Sequence, residues 1–306
     1  RGLLSVGAIL FGRSDFKSWA GGYAQPARWL LGRSSRAQFE AIVSAPAAEL
    51  LTSRAFPDSG YYLLQCGRRG TVDGASVLFD CGELGFKSIA AHGHADALSF
   101  TLRAFGLDIF VDPGTYDYFR NPTWRDYFRS TRAHNTVVVD DADQSIMLGP
   151  FLWGTRAPAR CIAWEPRAQG GKVAGEHDGY TRLADPVVHR RTLELDGQWR
   201  TLTIRDEITA RGRHEVAVFF HLSEDCVVSG VGCNRYEITV GRARGTVTLE
   251  VDPGLSVRTL TGSEEPISGW VSRGYHRMVE STTLVAHATC QGQKSFVSRV
   301  AIGAPP

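Results

Sequence analysis

A long series of short segments with alternating apolar and polar residues constrains the fold of this 306-residue chain most strongly. The alternation begins after Pro57-Asp58-Ser59-Gly60 and continues almost to the end of the sequence. A period of two places successive side chains on opposite faces of a strand, and Gly, Asp-Gly and Pro-Gly turns separate the segments. Short strands with this punctuation are typical of a large antiparallel sandwich. The predicted strands are 61–66, 75–80, 99–104, 108–112, 136–140, 157–164, 172–177, 188–195, 200–207, 215–222, 236–240, 246–251, 255–260, 283–288 and 295–301.

Residues 1–55 have a different, helical pattern. Ser14 or Asp15 can cap a segment that runs to residue 31, with interruptions at glycine and proline, and a second candidate helix covers 36–43. We therefore predict a mainly β protein, with a helical segment over residues 1–55 and an antiparallel β-sandwich over residues 56–306. No run of 18 apolar residues occurs, so no membrane-spanning helix is expected.

Composition excludes several classes of function. The net charge of +2 is nearly balanced, so a nucleic-acid partner is not expected. The cysteines form no CxxC pair, which disfavours zinc–thiolate sites and thioredoxin-like chemistry. In a domain of this size they are typically buried small hydrophobic residues, and one or two disulfides stay open as an alternative. Asp196-Gly197 predicts a tight hairpin, because Asp-Gly suits the positive φ angles of a primed turn.

The residues best suited to chemistry lie between positions 90 and 140. Two imidazoles and one carboxylate make a good ligand set for Zn²⁺, with water or a fourth ligand completing it, and we predict His94, Asp112 and His134. A hairpin that turns near Phe105-Gly106 places Asp112 opposite about Ser99 on the neighbouring strand, and not opposite His94. His94 reaches the ion only if the loop 92–96 folds back over the strand end. From spacing alone, ordinary loop histidines and a turn aspartate are the more common explanation of these residues.

Taken in order, three strings resemble the heparinase II/III family: HGHADALSF at 92–100, VDPGTY at 111–116 and WRDYFRSTRAHNT at 124–136. The later GWVS at 269–272, with Tyr275 nearby, is also similar to a motif of that family. The resemblance implies an α/α toroid followed by an antiparallel β-sandwich, with a polysaccharide in the cleft between them. The helical segment would then be the end of the toroid, and an upstream toroid domain of the same protein would be the partner of this chain.

The resemblance also implies a function. Members are polysaccharide lyases that cleave an acidic, uronic-acid-containing polysaccharide by β-elimination, and a zinc ion sits at positions that match His94, Asp112 and His134. The position matching His92 belongs to the catalytic set. The family's principal catalytic tyrosine comes from the toroid, upstream of residue 1, and so does the Asn or His that neutralises the uronate. We therefore expect this chain to hold only part of an active site, and we expect a periplasmic or secreted location from the substrate class.

Chemical reasoning assigns provisional roles to the catalytic residues. A base must remove the C5 proton and an acid must protonate the departing oxygen. His92 is predicted as the base or as the partner of the carboxylate, and Tyr116 as a second acid or a sugar contact. Asp96 is predicted to orient His92 or His94 through a ring nitrogen. The ion is expected to organise the loops rather than to act as a Lewis acid.

The stretch 116–134 mixes arginines with aromatic residues, which suits an anionic polysaccharide. Arginine forks match carboxylate and sulfate geometry, and aromatic rings stack on sugars. We predict substrate contacts from Trp124, Arg125, Asn135 and Tyr118. A core-packing hairpin with a solvated rim explains most of these aromatics equally well.

The remaining histidines are predicted to be structural, with His189 the one to check for proximity to the site. Two alternative functions stay open. One is a catalytically inactive carbohydrate-binding relative with a structural metal, and the other is a metal-dependent glycan hydrolase.

Overall fold

The fold was analysed in a computed structural model, which describes residues 1–44, 50–85, 89–241 and 245–303. The chain divides into two compact units, residues 1–50 with 68–70, and residues 51–67 with 71–306. The helical unit therefore ends before the boundary predicted at residue 55, which falls inside a strand of the second unit. Residues 45–49, which belong to the predicted helical segment, lie outside the described residues. That this segment ends a toroid stays a prediction.

The first unit consists of short helices. The predicted segment 14–31 forms two of them, because Gly21 takes a left-handed φ of 66° and ends the first. Ala8, Ala20 and Phe39 form the small apolar core of this unit. The described helices are α1 (Gly2–Phe11), α2 (Ser14–Ala20), α3 (Gln25–Leu31) and α4 (Ser35–Ala41).

The second unit is an antiparallel β-sandwich. Its first sheet has the strand order β1-β2-β3-β4-β5, and its second has the order β13-β14-β15-β21-β12-β11-β10-β9, with β16 also pairing with β21 and β6 with β12. Short two-stranded ribbons and one helix, α5, complete it. The elements are β1 (Arg54–Phe56), β2 (Tyr61–Cys66), β3 (Ala75–Asp80), β4 (Phe100–Ala104), β5 (Leu107–Phe110), α5 (Pro122–Arg129), β6 (Val137–Val139), β7 (Met147–Gly149), β8 (Leu152–Trp153), β9 (Ala159–Pro166), β10 (Gly170–His177), β11 (Val188–Asp196), β12 (Thr201–His221), β13 (Cys226–Gly232), β14 (Arg235–Val240), β15 (Gly245–Glu250), β16 (Ser256–Thr261), β17 (Ser263–Glu264), β18 (Ile267–Ser268), β19 (Trp270–Gly274), β20 (Arg277–Glu280) and β21 (Thr282–Ile302).

The core lies between the two sheets. Phe79, Phe100 and Phe110 of the first sheet and Ile204 and Phe220 of the second belong to one buried cluster. In β3 and β4 these positions alternate with more exposed ones, which is the period-two pattern of the sequence. Burial of a full set of such side chains, at roughly 25 cal/mol per Å² of apolar surface, is what holds the sheets together.

Two long strands were predicted as four short ones. β12 and β21 each run through 21 residues and pair along almost their whole length. The pairing is interrupted between Thr209 and Arg213, near Gly212. The prediction of separate strands there was wrong, because a break in pairing inside one strand resembles a strand end in the sequence.

The turns show one confirmed prediction and one correction. Phe105 and Gly106 both take positive φ angles, 57° and 75°, in the predicted hairpin between β4 and β5. The hairpin between β11 and β12 also forms, but Asp196 pairs with Thr201, and the positive φ belongs to Arg200. The Asp196 carboxylate instead accepts hydrogen bonds from the amides of Gln198 and Trp199, so the loop is longer than the predicted primed turn.

Two smaller points follow from the described residues. The six cysteines are all free. In the described part of the chain, no helix has both the length and the apolar character needed to cross a bilayer.

Candidate functional site

His94 lies on a loop that folds back over the end of the first sheet, as the sequence requires for a shared site. Two residues of the loop, Ala90 and Leu98, take left-handed φ angles of 48° and 60°. The Gly93 amide donates to the Ala90 carbonyl at 2.8 Å, and the Leu98 amide donates to Asp80 at 2.8 Å. Backbone hydrogen bonds therefore fix a turn within the loop and tie its far end to the end of β3.

Asp112 and His134 come from two further segments that one buried amide joins. Asn135 donates to the carbonyls of Phe100 at 2.8 Å and Val111 at 3.0 Å, and its oxygen accepts the His221 amide at 2.6 Å. Asn135 is 1% exposed. We had predicted that Asn135 contacts the substrate. Its amide is instead engaged with the backbone, so the geometry assigns Asn135 to the scaffold beside His134.

The predicted ligands do converge. His94, Asp96, Asp112 and His134 each offer one ligand atom, and these atoms all lie within 4.8 Å of one another. The imidazole rings of His94 and His134 are 5.3 Å apart between centroids, and His134 Nδ1 lies 3.0 Å from Asp112 Oδ2. Asp96 belongs to this cluster as a ligand candidate, whereas the sequence analysis predicted only that it orients His92 or His94.

His134 gives the best reason to expect a cation. Its side chain is 1% exposed, its Nδ1 faces only the Asp112 carboxylate at 3.0 Å, and its Nε2 has no hydrogen-bond partner among the described residues. Buried polar atoms in native proteins almost always have a partner. Two imidazoles and carboxylates are a donor set that Zn²⁺ accepts, so the residues present fit a metal site, although they do not identify the ion.

The imidazoles and carboxyls of the cluster shift one another's pKa values. Burial, and then the neighbouring Asp80, raise the pKa of Asp96 to about 8. Burial also raises the pKa of Asp80 to about 6. Burial, and then the proximity of His134, lower the pKa of His94 to about 3. Burial opposes ionisation of Asp112 too, but His134 outweighs it and holds the pKa of that carboxyl below its usual range.

Two residues near the cluster were missed by the sequence analysis. Asp80 ends β3 and pairs across the sheet with Tyr61 at the start of β2. Tyr61 is 43% exposed, and the carboxylates of Asp80, Asp96 and Asp112, together with partial burial, raise the pKa of its phenol. The Ser59-Gly60 turn just before Tyr61 indicated that Tyr61 begins a strand. The sequence does not show which strand pairs with β2, so it could not indicate that Tyr61 lies beside Asp80 and the cluster.

His92 is exposed at the rim of the same loop, among aromatic rings. Its ring centroid lies 5.5 Å from that of Tyr118 and 5.6 Å from that of Phe151, with edge-on geometry in both cases. Tyr118 stacks on Phe151 and on Tyr275, with centroids 5.7 Å apart and planes at 29° in each pair. The structure thus brings together His92 and Tyr118, both predicted site residues, with Tyr275 of the downstream motif.

Tyr116 and Trp124 are packed more deeply than a simple sugar platform would be. Their centroids are 6.1 Å apart, and Trp124 also contacts Trp270 at 5.5 Å. They flank a buried cluster containing Tyr127 and Phe128. Much of each ring therefore holds α5 in place, while Tyr116 also lines a surface cleft with Tyr118 and Tyr275.

The segment that supplies Arg125 is a helix and not the hairpin considered from the sequence. Pro122 occupies the first turn of α5, where its missing amide hydrogen costs nothing. Arg125 and Arg129, one turn apart, are 1% and 0% exposed. They donate to the carbonyls of Pro150 at 3.0 Å and Gly149 at 2.8 Å.

A buried polar network supports the site from the second sheet. Asp206 accepts hydrogen bonds from Arg191 at 2.7 and 3.0 Å, and it lies 2.7 Å from His189. Arg191 also donates to the carbonyls of Leu98 and Asn135, which belong to the loops that carry the ligands. His189 is therefore a structural residue, connected to the ligand-bearing loops only through Asp206 and Arg191.

Comparison with known proteins agrees with this geometry. The family model for the heparinase II/III-like C-terminal domain matches residues 48–298. The chain belongs to this family. A search of the curated proteins gave no match.

Solved heparinases share the fold. A heparan sulfate lyase HepC from Pedobacter heparinus is 18% identical with a TM-score of 0.69, and the match covers 99% of this chain and 43% of that one. A heparinase III structure is 16% identical with a TM-score of 0.70, covering 98% and 41% respectively. The chain thus spans less than half the length of these structures, and identities this low establish the sandwich fold alone.

Proposed function

We propose that this protein is a polysaccharide lyase that cleaves an acidic, uronic-acid-containing polysaccharide by β-elimination, with Zn²⁺ organising its site. The convergence of His94, Asp112 and His134, with His92 exposed on the same loop, supports this proposal most directly. In a heparinase-type sandwich, this arrangement supports a proton-transfer role for His92 beside the proposed cation site.

The residues of this chain would act in three ways. His92 removes the C5 proton or pairs with the uronate carboxylate, while Tyr116 is the candidate acid at the departing oxygen. Tyr118, Trp124 and Arg125 hold the glycan. A cation held by the cluster would pin together loops from three segments and so keep His92 in place.

Part of the site is proposed to come from an upstream toroid domain of the same protein, which would also be its partner in forming the cleft. That domain would supply the tyrosine and the group that neutralises the uronate. An extended acidic polysaccharide is an extracytoplasmic substrate, so we also propose a periplasmic or secreted location.

The test is product analysis with the full-length protein. Incubation with heparan sulfate, alginate or a bacterial exopolysaccharide is expected to release an unsaturated uronate, which absorbs in the ultraviolet. His92→Ala is expected to lower the rate by about 100-fold or more, the usual contribution of a general acid or base. His287→Gln, a substitution outside the cluster, is the matched control and should leave the rate unchanged.

Other outcomes would contradict the proposal. A saturated product whose formation stops on chelation, without unfolding, would indicate a metal-dependent glycan hydrolase. Glycan binding without any product would indicate a catalytically inactive relative that uses the metal structurally.

A further inference from the structure

An exposed group of rings beside His92 has no structural explanation. We call Tyr118, Phe119, Phe151 and Tyr275 the aromatic strip. Phe119 is 71% exposed and Tyr275 is 56% exposed. Phe119 contacts Phe151 with centroids 5.3 Å apart, so the rings form a continuous series from Tyr275 through Tyr118 and Phe151 to Phe119. Exposed apolar surface of this kind typically marks a binding site.

The guanidinium of Arg125 lies directly beneath this strip. Its carbon is 5.0 Å from the Tyr118 centroid and 5.5 Å from that of Phe151. It donates only to the Pro150 carbonyl, from Nε at 3.3 Å and Nη2 at 3.0 Å. Nη1 is buried and has no partner. A buried charged donor without a partner is costly, and this points to a group that the protein alone does not provide.

The next turn of α5 carries a second buried arginine with unpartnered nitrogens. Arg129 is fully buried over the ring of Trp153, and its Nε and Nη2 lack partners, as does Trp153 Nε1. In the described part of the chain, neither arginine forms an ion pair with a carboxylate. Asp126 lines the same cleft as Arg125, and Asp117 and Asp143 are close enough to interact electrostatically with the pair without forming an ion pair with it. Burial, and then repulsion by Arg129, lower the pKa of Arg125 to about 10.

We propose that the aromatic strip and the Arg125 guanidinium form one glycan subsite next to His92. A sugar face stacks on the exposed rings. An oxyanion on the same glycan, a carboxylate or a sulfate, enters the neighbouring cleft that Phe119, Arg125 and Pro150 line, and accepts a hydrogen bond there from the free N–H of Arg125. The charge of the arginine pair selects an acidic glycan over a neutral one. This inference rests on the proposed function for its substrate class, and it adds residues Phe119, Phe151 and Tyr275 to the site.

The test measures binding rather than turnover. The chain is titrated with oligosaccharides of alginate, of heparan sulfate and of neutral dextran, by calorimetry. Phe119→Ala and Tyr275→Ala are expected each to weaken binding of the acidic glycans by about tenfold, since each removes a large exposed ring. Trp199→Ala, which removes an equally exposed ring (74% exposed) from the β11–β12 turn, is the control and should have no effect.

A second pair of variants tests the anion. Arg125→Lys keeps the positive charge but loses the planar set of guanidinium N–H donors, and Arg125→Met removes both the charge and the donors. The preference for acidic glycans over dextran should fall in the first variant and vanish in the second, and thermal unfolding shows whether each folds. The alginate and heparan sulfate arms distinguish a carboxylate from a sulfate as the bound group.

Three results would overturn the subsite: equal affinity for dextran and the acidic glycans, unchanged affinity in both ring variants, or no binding of any glycan. The lyase assay is separate from this test. Weakened binding in the ring variants without unsaturated product from the full-length protein would leave the subsite standing and remove the proposed function. Unsaturated product from the full-length protein, with unchanged binding in the ring variants, would support the proposed function and remove the subsite.

Discussion

The buried Asp206 carboxylate offers a sharp test of how the second sheet supports the site. It accepts two hydrogen bonds from Arg191 and lies 2.7 Å from His189. Asp206 and Arg191 are 3% and 0% exposed. Burial alone would disfavour the carboxylate, but Arg191 and His189 outweigh it and lower the pKa of Asp206 to about 2.

The perturbation is Asp206→Asn. It leaves the Arg191 guanidinium buried without a counter-charge, and breaking a buried ion pair on one side costs roughly 3–5 kcal/mol. We expect the free energy of unfolding to fall by that amount. Because Arg191 also holds the carbonyls of Leu98 and Asn135, the variant should bind metal more weakly as well.

Urea unfolding followed by tryptophan fluorescence measures the change. Glu194→Gln is the matched control, since the Glu194–Arg167 pair is 40% and 46% exposed, and loss of such a surface pair changes stability by about 0–1 kcal/mol. The double variant Asp206→Leu, Arg191→Met removes both charges and should recover part of the loss, but not all of it, because the carbonyls of Leu98 and Asn135 then lack their donor. If Asp206→Asn and Glu194→Gln changed stability equally, the network would not be supporting the sheet.

Three further predictions concern other parts of the scaffold. His214 lies between the carboxylates of Asp140 at 2.6 Å and Asp185 at 2.8 Å; burial opposes protonation, but the two carboxylates raise its pKa. The stability from this pair is full below the unfolded pKa of about 6.5 and is lost as pH rises through the raised value, so melting curves of His214→Gln should lack this pH dependence. Asn135→Ala should lower the free energy of unfolding by about 2–4 kcal/mol in urea titrations, because it leaves buried backbone groups unpaired, and a smaller loss than 1 kcal/mol would contradict its scaffold role. Gly114→Ala should lower the melting temperature, because φ is 87° and the new Cβ would lie 2.3 Å from a backbone oxygen; an unchanged melting temperature would show that this turn is free to move.

The strands could be predicted from the sequence because their signal is local. Alternation along β2 or β11 records which face is buried, whatever the partner strand is. The partner itself is not recorded: β12 pairs with β21, which begins 61 residues after β12 ends. Breaks in that pairing therefore resembled strand ends.

The site was predicted in part, and for a different reason. His94, Asp112 and His134 were recognised from the order of their motifs, and the structure brings them together. Asp96 and Tyr61 owe their places to a loop and to a strand pairing, which local patterns do not specify.

The sequence analysis failed mainly to predict which polar residues are buried. Arg125 and Asn135 resembled surface residues that contact a ligand, since arginine and asparagine are usually exposed. The structure shows both to be buried, one with an unpartnered nitrogen and the other with its amide engaged. Helix α5 itself was missed although Pro122 and apolar residues three and four apart after Trp124 indicate one.

Metal analysis of the purified chain tests the central claim most directly. Mass spectrometry of the protein after dialysis should find about one zinc per chain, as expected for a site with this donor set. His94→Ala and His134→Ala should each lose the metal, while His287→Gln should keep it. Zinc that stays bound in both alanine variants, or a folded parent protein that binds none even when zinc is supplied, would contradict the claim that these imidazoles share one ion.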